Sequence, residues 1–387
     1  MKFAHIADCH LGSWGSHPEL RDLPLKAFEQ AVNACITEKV GFVLIAGDLF
    51  DTSMPGVDVL RFAAEQLRKC RDNGIAVYII AGSHDYSPTG KTMISVMESA
   101  GLVVNVNQKL INHNGAKIFG IEGLKGGLDK NSFNDLKIPE LGSGLKIFAF
   151  HSAVTEHCPI SLMDSIPLSV LPKGFDYYAT GHLHEHINEN IGKAKLVFPG
   201  PLFQANFDEL EKHEKTGFYI VSYETASANN GFLTMKRIEL DVCKSFVIKI
   251  DGNGKSPVQI EEEILSMIEN NDIKNKIVLI KCKGILESGK PSDINFNLIS
   301  ERCKNSGCFA VKKSVNLTTE EIDLKTQEKS VKEIESDLMK QAVANQEDKK
   351  DMIPALMDLL NQEKTENEKN LIYEERIKSA VIKMMGL

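Results

Sequence analysis

Five polar clusters, each placed directly after an apolar run rich in β-forming residues, constrain the fold of this chain most strongly. The five runs are Lys2–Ala7, Phe42–Ala46, Ala76–Ala81, Lys146–Phe150 and Asp176–Thr180. Short runs of β-branched, aromatic and other apolar residues, bounded by glycine and polar residues, predict strands. Because a polar cluster follows every run, the pattern predicts strands whose ends bring polar side chains together.

Aspartate and histidine dominate these clusters. The clusters read Asp8-Cys9-His10, Gly47-Asp48-Leu49-Phe50-Asp51, Gly82-Ser83-His84-Asp85, His151 and Gly181-His182-Leu183-His184. Carboxylate and imidazole groups without thiolate suit Mn²⁺ and similar ions, and one shared carboxylate can hold two cations close enough to clamp a phosphate. An isolated Asp-x-His pair fits a surface turn with a helix cap equally well, so the repetition is what favours a metal site.

Length and composition predict a globular protein with two or more domains. The chain has 387 residues, of which 42% are hydrophobic and 25% charged, values typical of soluble proteins. Without an apolar stretch of about 18 residues, no membrane span is expected. Because the chain runs from Met1 directly into a strand, we expect no cleaved signal and a cytoplasmic protein.

Cysteine spacing and net charge indicate the cellular environment of the protein and the ligands it can bind. The eight cysteines are scattered and show no zinc-binding spacing, which favours a reduced, intracellular protein. A disulfide between Cys303 and Cys308 is the alternative, and reduced thiols are favoured. The net charge of −8 does not indicate a nucleic-acid-binding protein, although bound cations would supply local positive charge.

Periodicity divides the chain into four segments. Residues 1–240 alternate strands with helical stripes, as in Pro24–Lys39 and Met54–Asp72, which predicts an α/β domain. Residues 241–318 read as a small α+β module. Residues 319–350 form a linker with a helix, and residues 351–387 hold two short helices, Met352–Asn361 and Tyr373–Met385. These helices must dock their apolar faces, either on this chain or on a partner.

The series DxH, GDxxD, GSHD, H and GHxH resembles that of the calcineurin-like metallophosphoesterases. The extended forms Ile6-Ala7-Asp8-Cys9-His10-Leu11-Gly12 and Ala46-Gly47-Asp48-Leu49-Phe50 resemble the nuclease subunit of the double-strand-break repair complex. That family comprises SbcD in bacteria and the meiotic-recombination-eleven protein in archaea and eukaryotes. The resemblance implies an α/β fold: a β-sandwich flanked by helices over 1–240, a DNA-capping domain over 241–318, and C-terminal helices.

The resemblance also implies an activity and partners. It implies a manganese-dependent DNA nuclease with two Mn²⁺ ions per subunit, acting as a 3′–5′ double-strand exonuclease and single-strand endonuclease. Residues 351–387 would bind the coiled coil of an SMC-like ABC ATPase. The family is typically a homodimer, for which Met54–Asp72 and Lys91–Ala100 are the expected interface.

Residue roles follow from the same resemblance. The ligands of the first metal are Asp8, His10 and His184, those of the second are His151 and His182, and Asp48 bridges the two. Ser83 replaces the asparagine usual in the superfamily, so it is expected to be a weaker ligand of the second metal.

His84 and Asp51 are the expected catalytic pair. A carboxylate hydrogen-bonded to His84 would fix its tautomer and favour proton donation to the leaving 3′ oxygen. Asp51 stands where many archaeal and eukaryotic members have histidine, which leaves the balance of exonuclease and endonuclease action open. His17 and Trp14, in the loop after the first cluster, are candidate substrate contacts, with surface positions as the alternative.

Two other functions fit parts of the sequence. A metallophosphoesterase of the same fold could act on a nucleotide or another small phosphodiester, although it would not require residues 241–387. A non-catalytic assembly subunit could keep the metal for structure, and an intact His84 argues against it.

Overall fold

A computed structural model of the chain describes residues 1–87, 90–124, 129–158, 164–227, 230–319 and 370–385. The first sheet consists of β1 (Lys2–Ile6), β2 (Phe42–Ala46), β3 (Ala76–Ile80), β4 (Val104–Asn105), β13 (Thr216–Ser227) and β14 (Asn230–Leu240). Its order is β14-β13-β1-β2-β3-β4. Strands β1 to β4 are parallel, and β13 pairs antiparallel with both β1 and β14.

A second six-stranded sheet carries the later polar clusters. It consists of β5 (Ile111–His113), β6 (Ala116–Ile121), β7 (Lys146–His151), β10 (Tyr177–Gly181), β11 (Ile187–Ile191) and β12 (Ala194–Phe198). Its order is β11-β12-β10-β7-β6-β5, with β6, β7, β10 and β12 parallel. The short strands β8 (Ala153–Val154) and β9 (Ser165–Ile166) pair separately.

An aromatic-rich core joins the two sheets face to face. Phe3 stacks on Phe42 with ring centres 4.9 Å apart, and Tyr177 of the second sheet meets Phe3 edge-on at 5.4 Å. Alternate residues of β2, such as Val43 and Ile45, point the other way into a core lined by helices. Because both faces of β2 are covered, all five of its residues are buried.

The described helices flank the sheets or belong to the C-terminal part of the chain. They are α1 (Leu23–Thr37), α2 (Val57–Asp72), α3 (Met93–Ser99), α4 (Asp129–Asn134), α5 (Phe207–Lys212), α6 (Pro257–Glu269), α7 (Phe296–Asn305) and α8 (Asn370–Met385). Helix α1 begins with a proline at its first turn and buries Phe28 and Val32, as its stripe predicts. None of the helices that the structure describes is both long enough and apolar enough to cross a membrane.

A third sheet lies in the later part of the chain, in the order β15 (Ser245–Asp251), β16 (Ile277–Leu286), β17 (Ala310–Thr319). By density of contacts the chain divides into two compact units. The first comprises Met1–Lys249, Ile264–Lys281 and Phe296–Ser314, and the second comprises Ile250–Glu263, Cys282–Asn295 and Val315–Leu387. Within the second unit, Ile260 and Leu286 are buried, and Gly252 donates a backbone hydrogen bond to Lys283.

The predicted α/β fold is confirmed, and the five predicted ligand-bearing strands lie within about one residue of their expected bounds. All eight cysteines are free thiols, so Cys303 and Cys308 are not bridged. The boundaries at 240, 318 and 350 stay predictions. The predicted helices within 319–350 and over Met352–Asn361 lie outside the described residues, whereas Tyr373–Met385 falls within α8.

Three glycines let the strand ends approach one another. A Cβ at Gly47 would overlap the His151 ring, one at Gly82 would overlap Asp48, and one at Gly181 would overlap the Ala46 carbonyl oxygen. Gly47 also has φ of +90°, a left-handed value that is unfavourable for other residues. The loops that carry the polar clusters therefore pack so closely that any side chain at these three glycine positions would overlap a neighbouring strand end or loop.

The substitution Gly47→Ala tests this packing, with Gly115→Ala as the matched control. Gly115 has a similar φ of +96° but open space around its Cβ position, so its replacement should cost only the conformational penalty of about 1 kcal/mol. Gly47→Ala should lower the free energy of unfolding in urea by at least about 3 kcal/mol, because steric overlap adds to the same penalty. Equal losses in the two variants would contradict the close approach.

Candidate metal centre

The polar side chains sit on strained backbone immediately after the parallel strands. Asp8, His10, Asp48 and His182 have φ of 50°, 42°, 50° and 85°, in the left-handed region. Such conformations cost of order 1–3 kcal/mol each and persist only where surrounding contacts impose them. Here Asp8 N–H donates to the Gly47 carbonyl oxygen (3.2 Å) and His10 N–H to that of Asp48 (3.1 Å).

Asp8, His10 and His184 form a first group of ligand atoms, which all lie within 4.8 Å of one another. The Nε2 atoms of the two histidines are 3.0 Å apart, and His184 Nε2 lies 3.7 Å from Asp8 Oδ1. Asp8 is fully buried, and its carboxylate accepts the His182 N–H (3.0 Å). These are the three residues expected at the first metal.

Asp48, His151 and His182 form a second group within the same 4.8 Å limit. His151 Nε2 is 3.1 Å from Asp48 Oδ2, while its Nδ1–H donates to the Ala46 carbonyl oxygen (2.8 Å). This hydrogen bond directs Nε2 towards the carboxylates. Asp48 also lies in a further group with His10 and His84, so its carboxylate stands between the two expected metal positions.

The buried Nε2 atom of His151 tests whether this arrangement fits cations. Among the residues that the structure describes, only three buried side-chain polar atoms have no hydrogen-bond partner, and two of them are His10 Nδ1 and His151 Nε2. His151 Nε2 faces Asp48 Oδ2 at 3.1 Å and Asp8 Oδ1 at 3.9 Å. A cation between the His151 imidazole and these carboxylates would coordinate a nitrogen that is otherwise costly to bury, so this group fits a metal.

The dense carboxylates hold protons on two of the histidines. Burial alone would lower the pKa of His151, but the Asp48 carboxylate outweighs it and raises this pKa to about 10. Burial also lowers the pKa of His184, but the hydrogen bond that its Nδ1–H donates to Glu209 outweighs burial and raises this pKa to about 9. Burial and the neighbouring His151 lower the pKa of His182 to about 4.

Metal binding should therefore release protons at neutral pH. His151 and His184 keep protons in the metal-free protein, and a metal must displace them, so the affinity should rise with pH between 6 and 8, by up to about tenfold per unit for each proton released. Calorimetric titration with Mn²⁺ in buffers of different ionisation enthalpy measures the number of protons. A binding enthalpy that does not depend on the buffer would contradict this expectation.

His84 contacts Asp51 through the backbone and not through the carboxylate, which corrects the expected pair. The Nδ1–H of His84 donates to the Asp51 carbonyl oxygen at 2.7 Å, and its backbone N–H donates to Asp48 Oδ1 at 2.8 Å. The Asp51 carboxylate turns instead towards His10, with Oδ1 at 3.3 Å from Nδ1, outside hydrogen-bond geometry. The tautomer of His84 is thus fixed by the main chain, which the sequence alone does not specify.

The variant Asp51→Asn separates these two contacts. It keeps the carbonyl acceptor of His84, so the pH profile of phosphoester hydrolysis should be unchanged, while loss of charge beside His10 should weaken Mn²⁺ binding by about tenfold. The exposed Asp135→Asn is the control for loss of one negative charge. If Asp51→Asn altered the pH profile in the same way as His84→Ala, the carboxylate would act on His84 after all.

The remaining candidate residues lie beside the centre. Ser83 is half-buried in the loop after β3, next to His84. Trp14 Nε1–H donates to the Gln204 carbonyl oxygen (2.7 Å), and the Lys312 ammonium lies 5.4 Å from the Trp14 ring centre and donates to His17 Nδ1 (2.6 Å). These contacts fasten the loop, and roles for Ser83, Trp14 and His17 in binding stay predictions.

Asp85 is one functional residue that the sequence reading missed. Its buried carboxylate accepts the N–H groups of Leu49 (3.1 Å), Phe50 (3.0 Å) and Gly82 (3.0 Å), which ties the loop after β2 to the loop after β3. Burial and the Asp48 carboxylate raise its pKa to about 7, and the three N–H groups oppose that shift. Its place in the Gly82–Asp85 cluster was the available signal.

Glu209 is the second missed residue. Its Oε1 accepts the Nδ1–H of His184 at 2.8 Å, and its Oε2 accepts the Ala205 N–H at 2.9 Å. Asn206 caps α5 by accepting the Glu209 N–H (3.0 Å). The spacing Asn206-x-x-Glu209 resembles a capping box and signals this helix start, but no sequence feature connects it to His184.

Comparisons with known proteins identify a family and several relatives that resemble this chain. The family model "Calcineurin-like phosphoesterase" matches residues 1–186. A DNA double-strand break repair protein Mre11 from Sulfolobus acidocaldarius is 27% identical, over 94% of this chain and 95% of that protein. Proteins of the same name from Methanococcus maripaludis and Methanocaldococcus jannaschii are 26% and 28% identical, over 73% and 64% of this chain and 77% and 68% of theirs.

The fold, the paired ligand groups and the family match together define a metal-dependent phosphoesterase. Within that class, the chain is similar to the archaeal DNA double-strand break repair proteins named Mre11.

Proposed function

We propose that this chain is a manganese-dependent DNA nuclease that acts in double-strand break repair. The observation that carries the proposal is the buried Asp48 carboxylate, which lies between two His-containing ligand groups with His84 beside it. The similar archaeal proteins are named DNA double-strand break repair proteins, which supports DNA as the substrate. The expected activities are 3′–5′ exonuclease action on duplexes and endonuclease action on single strands.

The chain offers a complete ligand set for two ions. Asp8, His10 and His184 would hold the first and His151 and His182 the second, with Asp48 shared. Ser83 would add a weak hydroxyl ligand to the second ion. When bound, two such ions activate water and stabilise charge on phosphate oxygens.

His84 is suited to proton transfer at the leaving oxygen. Its Nδ1–H is held by the Asp51 carbonyl oxygen at 2.7 Å, which leaves Nε2 as the ring atom that can carry a proton to substrate. The ring meets His10 edge-on at 4.8 Å between centres, so His84 stands beside the first ligand group. In this position it can protonate the 3′ oxygen as the P–O bond breaks.

Exposed apolar side chains in two parts of the chain support binding partners for the nuclease. Met54 and Val57 at the start of α2 are 74% and 82% exposed, and Val96 of α3 is 53% exposed. These residues lie in the segments expected to form the homodimer interface, and exposed apolar clusters mark such surfaces. In α8, Ile382 is 41% exposed, which leaves an apolar side chain available to the coiled coil of an SMC-like ABC ATPase.

The first experiment compares cleavage of linear duplex and single-stranded DNA with Mn²⁺ and Mg²⁺. Wild-type protein should cleave with Mn²⁺, and His84→Ala should lower the rate by about 10²- to 10⁴-fold, the usual contribution of a general acid. His113→Ala is the matched control, because His113 lies on β5, where it contacts Tyr78 and not the ligand groups. Metal content of each variant is measured in parallel.

One outcome would overturn the role of His84, and another would overturn the assignment of DNA as the substrate. Full activity in His84→Ala would exclude its catalytic role. Hydrolysis of a small phosphodiester without any DNA cleavage, by wild-type protein with both metals bound, would move the substrate to nucleotides or similar compounds.

A further inference from the structure

Helix α5 contacts a metal ligand at one end and two distant strands at the other. Glu209 in its first turn accepts the Nδ1–H of His184 at 2.8 Å, and the Glu209 side chain is only 13% exposed. A histidine whose far nitrogen is bound in this way has its ring plane and tautomer fixed, so that Nε2 faces the metal position. His184 Nε2 does face Asp8 and His10.

Glu209 is itself held rigidly. Its second carboxylate oxygen accepts the Ala205 N–H, and its own N–H is capped by Asn206. The helix is also anchored through Leu210, which is 1% exposed and whose carbonyl oxygen accepts the Ser245 hydroxyl at 2.8 Å. The orientation of His184 therefore depends on where the whole helix sits.

Two lysines from other strands fix the last turn of the same helix. Glu211 forms two ion pairs. Its Oε1 lies 2.9 Å from the Lys249 ammonium of β15, and its Oε2 pairs with the Lys281 ammonium of β16. The side chains of Glu211 and Lys281 are 12% and 18% exposed, so this pair is better shielded than an ordinary surface pair, whereas the Lys249 side chain is 68% exposed. Lys281 also lies 3.7 Å from Asp208. All these residues belong to the first compact unit.

We propose that Glu209 is a positioning residue for His184, and that α5 transmits the position of Lys249 and Lys281 to the first metal site through Glu211. A small displacement of the two lysines shifts a six-residue helix as a body, because Leu210 and the cap leave it little internal freedom. The Glu209 carboxylate then moves with the helix, and the first metal site changes while the second, built from His151 and His182, does not.

Stepwise binding of Mn²⁺, followed by calorimetry, tests both parts of this proposal. Glu209→Gln should weaken one binding step by about 10- to 100-fold and leave the other step unchanged. Glu211→Gln should weaken the same step by about 2- to 30-fold. Glu214→Gln, an exposed position shortly after the helix with the same change of charge, is the control and should bind both ions as wild type does.

A double variant shows whether the effect passes through Glu209. If α5 is the route, Glu211→Gln should have no further effect on the affinity once Glu209→Gln is present. Independent, additive losses would overturn the route, and wild-type affinity in Glu209→Gln would overturn the positioning role. Thermal unfolding of each metal-free variant identifies a loss of affinity that is due only to misfolding.

A metal-free measurement completes the test. In wild type, the His184 Nδ1 proton should exchange slowly with solvent by NMR, and in Glu209→Ala it should exchange at the rate of an exposed histidine. Slow exchange in Glu209→Ala would show that other groups orient the ring, which overturns the proposal.

This inference rests on the proposed two-metal site, and its failure can be told apart from failure of the nuclease function. If wild-type protein binds two ions but does not cleave DNA, the substrate assignment fails while the affinity changes in Glu209→Gln and Glu211→Gln still decide the role of α5. If DNA is cleaved and these affinities stay at the wild-type level, only the role of α5 fails.

Discussion

The burial of Asp48 is the constraint on which the rest of the site depends. Its side chain is 2% exposed, and a carboxylate in such a place is strongly destabilised unless positive charge or hydrogen-bond donors surround it. His151, His10 and the His84 backbone N–H supply these partners. Because histidine protons can be exchanged for metal ions at the same place, the protein keeps the carboxylate compensated with or without cations.

The same constraint explains the glycines and the strained backbone. Loops after β1, β2, β3, β7 and β10 must bring charged groups within a few ångströms, which leaves no volume for ordinary side chains at the crossing points. Left-handed Asp8, His10 and Asp48 turn their carboxylate and imidazole groups inward at these points. The free-energy cost of these left-handed conformations is local, and the aromatic core between the two sheets offsets it by stabilising the fold.

Much of this arrangement could be predicted from the sequence, because each strand end carries its own signal. An apolar run followed by Asp or His predicts a strand with a metal ligand at its end. Because these strands are parallel, their ends lie at the same edge of each sheet. The sequence could not show that His84 meets the carbonyl oxygen of Asp51, since this depends on the backbone path of one loop. The sequence also could not connect Glu209 with His184, because a contact between two segments that are distant in the chain leaves no pattern in the sequence of either segment.

The pairing of β1 with β13 has a consequence for the order of events during synthesis. Strand β1 lies between β2 and β13. One of its two edges pairs with β2, and the other pairs with residues 219–222 of β13. The nascent chain therefore carries the first ligands, Asp8 and His10, for the time needed to translate about two hundred further residues before their strand is fully paired. Until then the strand has an open edge that can pair with other chains, so slow translation or delayed release of this segment favours aggregation over folding.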